Sequence, residues 1–203
     1  GLQSAQVVVV QAVSAGVLTF TPNNATWTGT IDNVSVATIT PALLAQTIRN
    51  QNGTVGIEIR SGGTGLFNTF VGKDSGLYNT TGNTNSFFGN GAGTSNTIGS
   101  ANIANGYQSL FSNTTGSANI ANGYQSLYSN TNGNYNIANG GSALYSNTTG
   151  TRNVAIGDSS LYSNTIGQYN TASGYQSLYS NTSGNYNIAN GGSAIYSNTI
   201  GQY

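Results

Sequence analysis

Few side chains in this sequence could carry out acid–base, nucleophilic or metal chemistry. The 203 residues include four Asp and Glu, four Lys and Arg, and no His, Cys or Met. Nucleophilic hydrolases need a base beside the nucleophile, glycosidases usually need two carboxylates across a cleft, and metal sites need His, Cys or clustered carboxylates. The acidic residues are instead scattered, at Asp32, Glu58, Asp74 and Asp158. The sequence therefore predicts a protein that is not an enzyme, with no catalytic residues and with no cofactor or metal site.

The basic residues are equally dispersed and predict no surface for nucleic acid. Binding to phosphate backbones requires a basic stripe that displaces counterions, whereas Arg49, Arg60, Lys73 and Arg152 are isolated in the sequence. The longest apolar run, residues 7–10, is far shorter than the roughly 20 residues that span a bilayer, and no signal peptide opens the chain. We predict neither nucleic-acid binding nor membrane insertion.

The polar and aromatic residues that remain recur at a fixed spacing. The segment "NIANGYQSLFSNTTGSA" at residues 102–118 is followed by near copies of itself, seventeen residues apart. Asn leads eight copies in one register, and Gly follows four residues later in each. Strict phase is typical of an ordered repeat rather than of a disordered low-complexity tract. The leading residues are Asn68, Asn85, Asn102, Asn119, Asn136, Asn153, Asn170 and Asn187.

Each copy contains two segments, N-I-A-N and S-L-Y-S-N-T, with the length and residue types of short strands. The glycines and small polar residues between and within them disfavour a helix. Strands and corners alternating at a fixed period predict an all-β fold, a parallel β-roll or β-solenoid with one seventeen-residue coil per copy. Equivalent residues of successive coils would stack ~4.8 Å apart, which lets identical Asn side chains form ladders and aromatic rings stack on their copies.

Two positions in the coil predict a shared interior. The third residue is Phe in the first two copies and Ala in the later ones, whereas the ninth residue is Gly in the first two copies and Leu or Ile afterwards. Cores tolerate exchanges that preserve total volume. We therefore predict that these two columns face each other, with Ala104 in contact with Leu110.

Apolar residues also flank both interior columns. Ile103 and its equivalents precede the Ala column, and Phe111, Tyr128 and later tyrosines follow the Leu column. Adjacent strand residues point to opposite faces, so the outside of the roll would be partly apolar too. Other copies of the same chain would cover it, in a side-by-side or intertwined homotrimer. The alternative is a tyrosine ladder with its hydroxyl groups in water.

The first third of the chain has a different pattern. Residues 1–40 contain three β-like runs and predict a small β-rich module, part of a β-sandwich or jelly roll. Residues 41–65 predict a neck, because Thr40 and Pro41 are typical of a helix start and "TVGIEIRSG" is typical of a strand that enters the roll. The roll is predicted over residues 66–203.

Three segments resemble known families. "NVAIGDSSLYSNTIG" at residues 153–167 resembles the head repeats of trimeric bacterial adhesins, whose heads are left-handed parallel β-rolls. Residues 68–203 are similar to the "YQALYSNTTG" repeats of bacteriophage tail-fibre and virion appendage proteins. "TFTPNNATWTGTIDNVSVATI" at residues 19–39 resembles the closing strands of jelly-roll, carbohydrate-binding-like modules in those proteins.

These resemblances imply a trimeric attachment fibre, extracellular or on the virion surface. Such a fibre would contact other virion or fibre subunits and a host-surface glycan or protein receptor. We therefore expect a structural fibre or attachment protein, with a bacterial trimeric adhesin head as one alternative.

One column offers candidate receptor contacts. Tyr107, Tyr124 and Tyr175 follow the corner Gly, at a position where other copies carry Gly or Asp. A position that accepts such different residues is expected to be exposed, and exposed tyrosines can stack on sugar rings. The repeated Ser-Asn-Thr of residues 112–114 and later copies favours a second alternative, an ice-binding β-solenoid that uses parallel ranks of hydroxyl groups.

Overall fold

The computed structural model describes residues 45–49, 55–60 and 67–201, with side-chain detail for the last of these ranges. Within these ranges, ten strands form one sheet in chain order. They are β1 Ala45–Arg49, β2 Val55–Arg60, β3 Thr69–Val71, β4 Ser86–Phe88, β5 Ile103–Asn105, β6 Ile120–Asn122, β7 Ile137–Asn139, β8 Val154–Ile156, β9 Thr171–Ser173 and β10 Ile188–Asn190. The predicted module at residues 1–40 lies outside the described residues.

Strands β3 to β10 confirm the predicted parallel β-solenoid with seventeen-residue coils. Each of these strands pairs in parallel with the next, and equivalent residues are direct partners, as in Ile103 with Ile120 and Ala104 with Ala121. The register does not slip between any two of these coils. Like residues therefore lie over like residues along the solenoid.

The prediction of a second strand in each coil is wrong. The segment S-L-Y-S-N-T forms turns, because its second residue, as in Leu110, has φ of 53°, and Gln108, just before the segment, has φ of 51°, both in the left-handed region rather than the extended one. Its N–H groups still bond to neighbouring coils, from Gln108 to Asn90 O at 2.9 Å and from Leu110 to Ser126 O at 2.9 Å. Stacked coils supply these acceptors to any backbone that repeats, so the chain can curve around the core and keep its hydrogen bonds.

The helix predicted for the neck is also wrong over the residues described there. Ala45–Arg49 is a strand, antiparallel to β2, with an irregularity between Ile48 and Arg49. The helix-start signal at Thr40 and Pro41 is overridden because β2 offers this segment a hydrogen-bonding partner. Thr47 and Ile48 are also β-branched residues, which suit a strand. The strand predicted from "TVGIEIRSG" is confirmed as β2, which pairs antiparallel with β3 at the start of the solenoid.

The core contains the two columns predicted to face each other. Ala104 and Leu110 are fully buried in one cluster with their equivalents in the neighbouring coils. In the first coil Phe70 stands in the Ala position, and a Cβ added to Gly76 would lie 2.5 Å from the Phe70 ring. Phe with Gly and Ala with Leu therefore fill the same interior space. The Phe70 and Phe87 rings stack with their centroids 5.0 Å apart.

Buried asparagines connect successive coils. The backbone N–H of Asn119 donates to Asn102 Oδ1 at 3.0 Å, and Asn102 Nδ2 donates to Gly116 O at 2.9 Å. Asn113, from a second buried column, donates to the same carbonyl at 2.9 Å and to Asn96 Oδ1 at 2.6 Å. Among the described residues, no buried side-chain nitrogen or oxygen lacks a hydrogen bond. The interior is thus polar along one side and fully paired.

Corner glycines allow the coils to approach each other. Gly106 has φ of 133°, which L side chains rarely adopt, and a Cβ added there would lie 2.6 Å from Gly123 O. The absence of a side chain lets the backbone of one coil lie directly on the next.

Candidate functional site

The three predicted contact tyrosines lie on the surface of the solenoid. Tyr107 and Tyr124 are 46% and 57% exposed and stack with their ring centroids 5.5 Å apart. Tyr175 is 58% exposed and lies three coils beyond Tyr124. The structure therefore brings two of the three residues together and leaves the third as a separate ring in the same column.

An acidic notch separates Tyr124 from Tyr175. In the two intervening coils the column contains Gly141 and Asp158. A Cβ added to Gly141 would lie 2.9 Å from Asp158 Oδ2, so the carboxylate leans over the glycine. The other carboxylate oxygen accepts a hydrogen bond from Ser159 Oγ at 2.8 Å. The notch thus offers a carboxylate and a hydroxyl between exposed aromatic rings.

A second aromatic column lies beside these tyrosines. We call it the tyrosine ladder; successive rings are nearly parallel, with centroids 4.9–5.2 Å apart. Burial raises the pKa of Tyr145 and of Tyr179 above the usual tyrosine value, and neighbouring tyrosines, among them Tyr124 and Tyr175, raise the pKa further. The ladder contains Phe111, Tyr128, Tyr145, Tyr162, Tyr179 and Tyr196.

The hydroxyl ranks proposed for ice binding are partly engaged within the protein. Thr114 Oγ1 donates to Thr131 O at 3.1 Å, and Thr131 Oγ1 donates to Thr148 O at 3.1 Å. The same bond recurs from Thr80 to Thr182 along the column. These hydroxyl protons link coils, while the oxygen atoms can still accept a hydrogen bond. Ice binding stays a prediction.

A further exposed column was missed by the sequence reasoning. It consists of Tyr135, Arg152, Tyr169 and Tyr186, each immediately before the leading Asn of its coil, and we call it the corner column. The Arg152 guanidinium lies between two rings, 5.2 Å from the Tyr135 centroid and 5.4 Å from the Tyr169 centroid. Tabulating this position would have found it, because after Phe67 the column runs through the small residues Thr84, Ala101 and Ala118 and is then large in every coil from Tyr135 onward.

The described surface carries few ionisable side chains. Within residues 67–201 the ionisable carboxylates are Asp74 and Asp158, and Asp74 lies 4.0 Å from Lys73 Nζ. No group of three His, Cys, Asp or Glu among the described residues is placed to hold a metal ion. Exposed rings, amides and hydroxyl groups therefore make up most of the chemistry that the surface offers.

Comparisons with protein families, with curated proteins and with solved structures find no match to this chain. Over the described residues, no helix has the length and apolar character needed to cross a bilayer. The fold is a parallel β-solenoid over the described residues. A proposal for its function therefore rests on the exposed side chains described above.

Proposed function

We propose that this protein is a structural attachment protein, a stiff homotrimeric β-solenoid fibre exposed outside the cell or on a virion. The observation that carries the proposal is the combination of a fully paired, repetitive interior with exposed columns of tyrosine on the outside. A solenoid held by ladders along its whole length resists bending, because each coil is bonded to both neighbours. Its function is then mechanical support for a binding surface.

The outward face of the strands supports association with other copies of the chain. Ile103, Ile137 and Ile188 are 43%, 37% and 73% exposed, and Ile156 lies on the same outward side of its strand. Apolar stripes of this kind on a narrow protein are commonly covered in an assembly. A homotrimer would bury these isoleucines and keep the tyrosine columns at the periphery.

Tyr107, Tyr124 and Tyr175 are the proposed contacts for a surface glycan. Tyrosine combines an apolar ring face with a hydroxyl group, which suits sugar rings. Each contact would be weak, but three chains in one fibre repeat the same surface, and linked binding sites gain avidity without any strong single site. The low charge of the chain, with only 4% charged residues, favours recognition by shape and hydrogen bonds over electrostatic steering.

The molar mass of the intact chain in solution, measured by light scattering after size exclusion, tests the assembly. We expect three times the 20.8 kDa chain mass. Ile137→Glu should shift the mass toward the monomer, because it would place a charge on the apolar stripe. Thr149→Glu, at an exposed position away from the strand, is the matched control and should leave the trimer intact. A wild-type chain that remains monomeric at high concentration would exclude the trimeric fibre.

The glycan contact has its own test on a printed glycan array. Tyr124→Ala should weaken binding because it removes one ring of the Tyr107–Tyr124 stack, and Tyr78→Ala, which removes an exposed tyrosine outside that column, should not. Equal binding by the two variants and the wild type would remove these tyrosines from the attachment surface.

A further inference from the structure

The corner column is not required by the fold. At the same position the second to fourth coils carry Thr84, Ala101 and Ala118, and every member from Thr84 to Tyr186 has positive φ, whereas Phe67 of the first coil is not among the positive-φ residues. Tyr135 and Arg152 have φ of 59° and 56°. Bulky residues rarely adopt this conformation, and small residues build the same turn. The four large side chains from Tyr135 onward therefore add a surface rather than the turn itself.

The geometry of the column is a cation held among aromatic rings. Arg152 lies between the rings of Tyr135 and Tyr169, and its Nη1 donates to Tyr169 Oη at 3.1 Å. Tyr186 continues the stack, with its centroid 4.9 Å from that of Tyr169. Tyr135 and Tyr186 are each 59% exposed, and Arg152 is exposed between them. The guanidinium is thus placed at the surface with an aromatic ring on either side and one hydrogen bond to Tyr169.

Arg152 has no carboxylate partner among the side chains that the structure describes. It is the only cation between residues 75 and 201, and the only anion in that range is Asp158, which accepts a hydrogen bond from Ser159. A guanidinium has five N–H donors, and one of them bonds to Tyr169 within this part of the chain. An oriented cation with further donors at the surface is suited to an anionic ligand.

We propose that the corner column binds an acidic saccharide, in which a sugar residue carries a carboxylate. A guanidinium binds a carboxylate through two parallel hydrogen bonds, and tyrosine rings pack against the apolar faces of sugars. Thr151 and Gln168, adjacent in sequence to Arg152 and Tyr169, are bonded to each other at 3.1 Å and supply a hydroxyl and an amide beside the rings. The inference rests on the proposed attachment function and names a ligand class for it.

Calorimetric titration of the full chain with tetragalacturonate tests the proposal, with the methyl ester of the same oligosaccharide as the neutral match. The wild type should bind the acid at least about tenfold more tightly than the ester, since the ester cannot accept the charge-assisted pair. Arg152→Ala should bind tetragalacturonate about tenfold or more weakly than the wild type. It should fold normally because Ala101 and Ala118 occupy the same position in other coils. Arg152→Lys keeps the charge but not the planar guanidinium, so its affinity for tetragalacturonate should lie between that of the wild type and that of Arg152→Ala.

Lys73→Gln provides the control for net charge. It removes a cation from the first coil, at an exposed position outside the corner column, and should leave the affinity unchanged. Absence of binding, an equal loss in Lys73→Gln and Arg152→Ala, or equally tight binding of polyglutamate would each overturn the acidic-saccharide site. A trimer that fails to bind tetragalacturonate would overturn this inference alone, whereas a monomer that binds it would overturn the trimeric fibre and keep the site.

Discussion

The interior columns and the outer columns of the same coils follow opposite rules. Asn occupies the leading position of all eight coils, whereas the position after the corner Gly varies among Lys, Asn, Tyr, Gly and Asp. Backbone geometry repeats equally well at both positions. The difference lies in contacts, since the leading Asn of every coil from Asn85 to Asn170 bonds to the coils on both sides, whereas the outer side chains face water. Positions that do not vary between coils are therefore those that pack against neighbouring coils. Positions that vary lie on the surface and are available for binding.

An interior change in this architecture affects two interfaces at once. Leu110 is fully buried because further coils lie over it, whereas its equivalent in the last described coil, Ile195, is 41% exposed. The contrast shows how much of the burial comes from the neighbouring coil rather than from the coil itself. Outer positions lack this dependence, so their substitution should change binding and leave stability nearly unchanged.

The largest expected effect comes from exchanging interior volume in one coil. Ala104→Phe alone would overfill a fully buried site, at a cost of about 3 kcal/mol in the free energy of unfolding, and Leu110→Gly alone would leave a cavity of similar cost. Together they recreate the Phe87 and Gly93 pair of the preceding coil, and Gly suits the positive φ at residue 110.

Urea denaturation of the two single variants and the double variant measures this coupling. We expect the double variant to be more stable than the sum of the single effects predicts, by about 2 kcal/mol. Additive effects would mean that the two columns do not share one interior volume.

A smaller loss is expected from breaking one rung of the Asn ladder. Asn102→Ala removes the acceptor of the buried Asn119 N–H and one of the two donors to Gly116 O, and should cost about 2 kcal/mol. Asn105→Ala, two residues beyond Ile103 on the exposed side of the same strand, should cost less than about 0.5 kcal/mol. Chemical denaturation of both variants compares the interior with the surface directly, and similar losses would contradict the distinction.

Outer substitutions should have still smaller effects on stability. Tyr124→Gly and Tyr175→Gly place at these positions the residue that occurs naturally at Gly141, so each should change the free energy of unfolding by less than about 0.5 kcal/mol. Thermal unfolding followed by circular dichroism is the measurement. A loss as large as that of Asn102→Ala would show that the exposed stack is structural and would weaken its assignment to binding.

Repetition made much of the fold predictable from the sequence. The period and its register determine which residues stack, and the exchange of Phe with Gly for Ala with Leu located the core, including Ala104 and Leu110. The second strand was predicted wrongly because Leu110 gives no local signal for its left-handed φ, although Gly76 and Gly93 at the same position of the first two coils were a sign that the turn requires it. The helix prediction was wrong because the start signal at Thr40 and Pro41 carries no information about the pairing of β1 with β2.

The candidate site was predictable only where variation marked it. Tyr107, Tyr124 and Tyr175 stood out because Gly and Asp replace them in other coils. Arg152 and its tyrosines also recur at the seventeen-residue spacing, but they were overlooked because the residue before each leading Asn was not tabulated over the coils. Only the structure shows the guanidinium between two rings.

The least perturbing test concerns the half-buried tyrosine ladder, which lies between interior and surface. The pKa of Tyr145 is raised in the folded protein, first by burial and then by Tyr128, Tyr162 and Tyr124, so the folded state holds this proton more tightly than the unfolded chain does. Its contribution to stability is complete below the unfolded pKa near 10.0 and is lost as the pH rises through the folded pKa. Tyr145→Phe, which places in the ladder the residue type already present at Phe111, should remove a late-ionising part of the tyrosinate absorbance titration and make stability fall less steeply at alkaline pH. A titration in which Tyr145→Phe removes only an early-ionising tyrosine would show that the ladder is as exposed to water as the outer column, and the distinction between the two aromatic columns would then be lost.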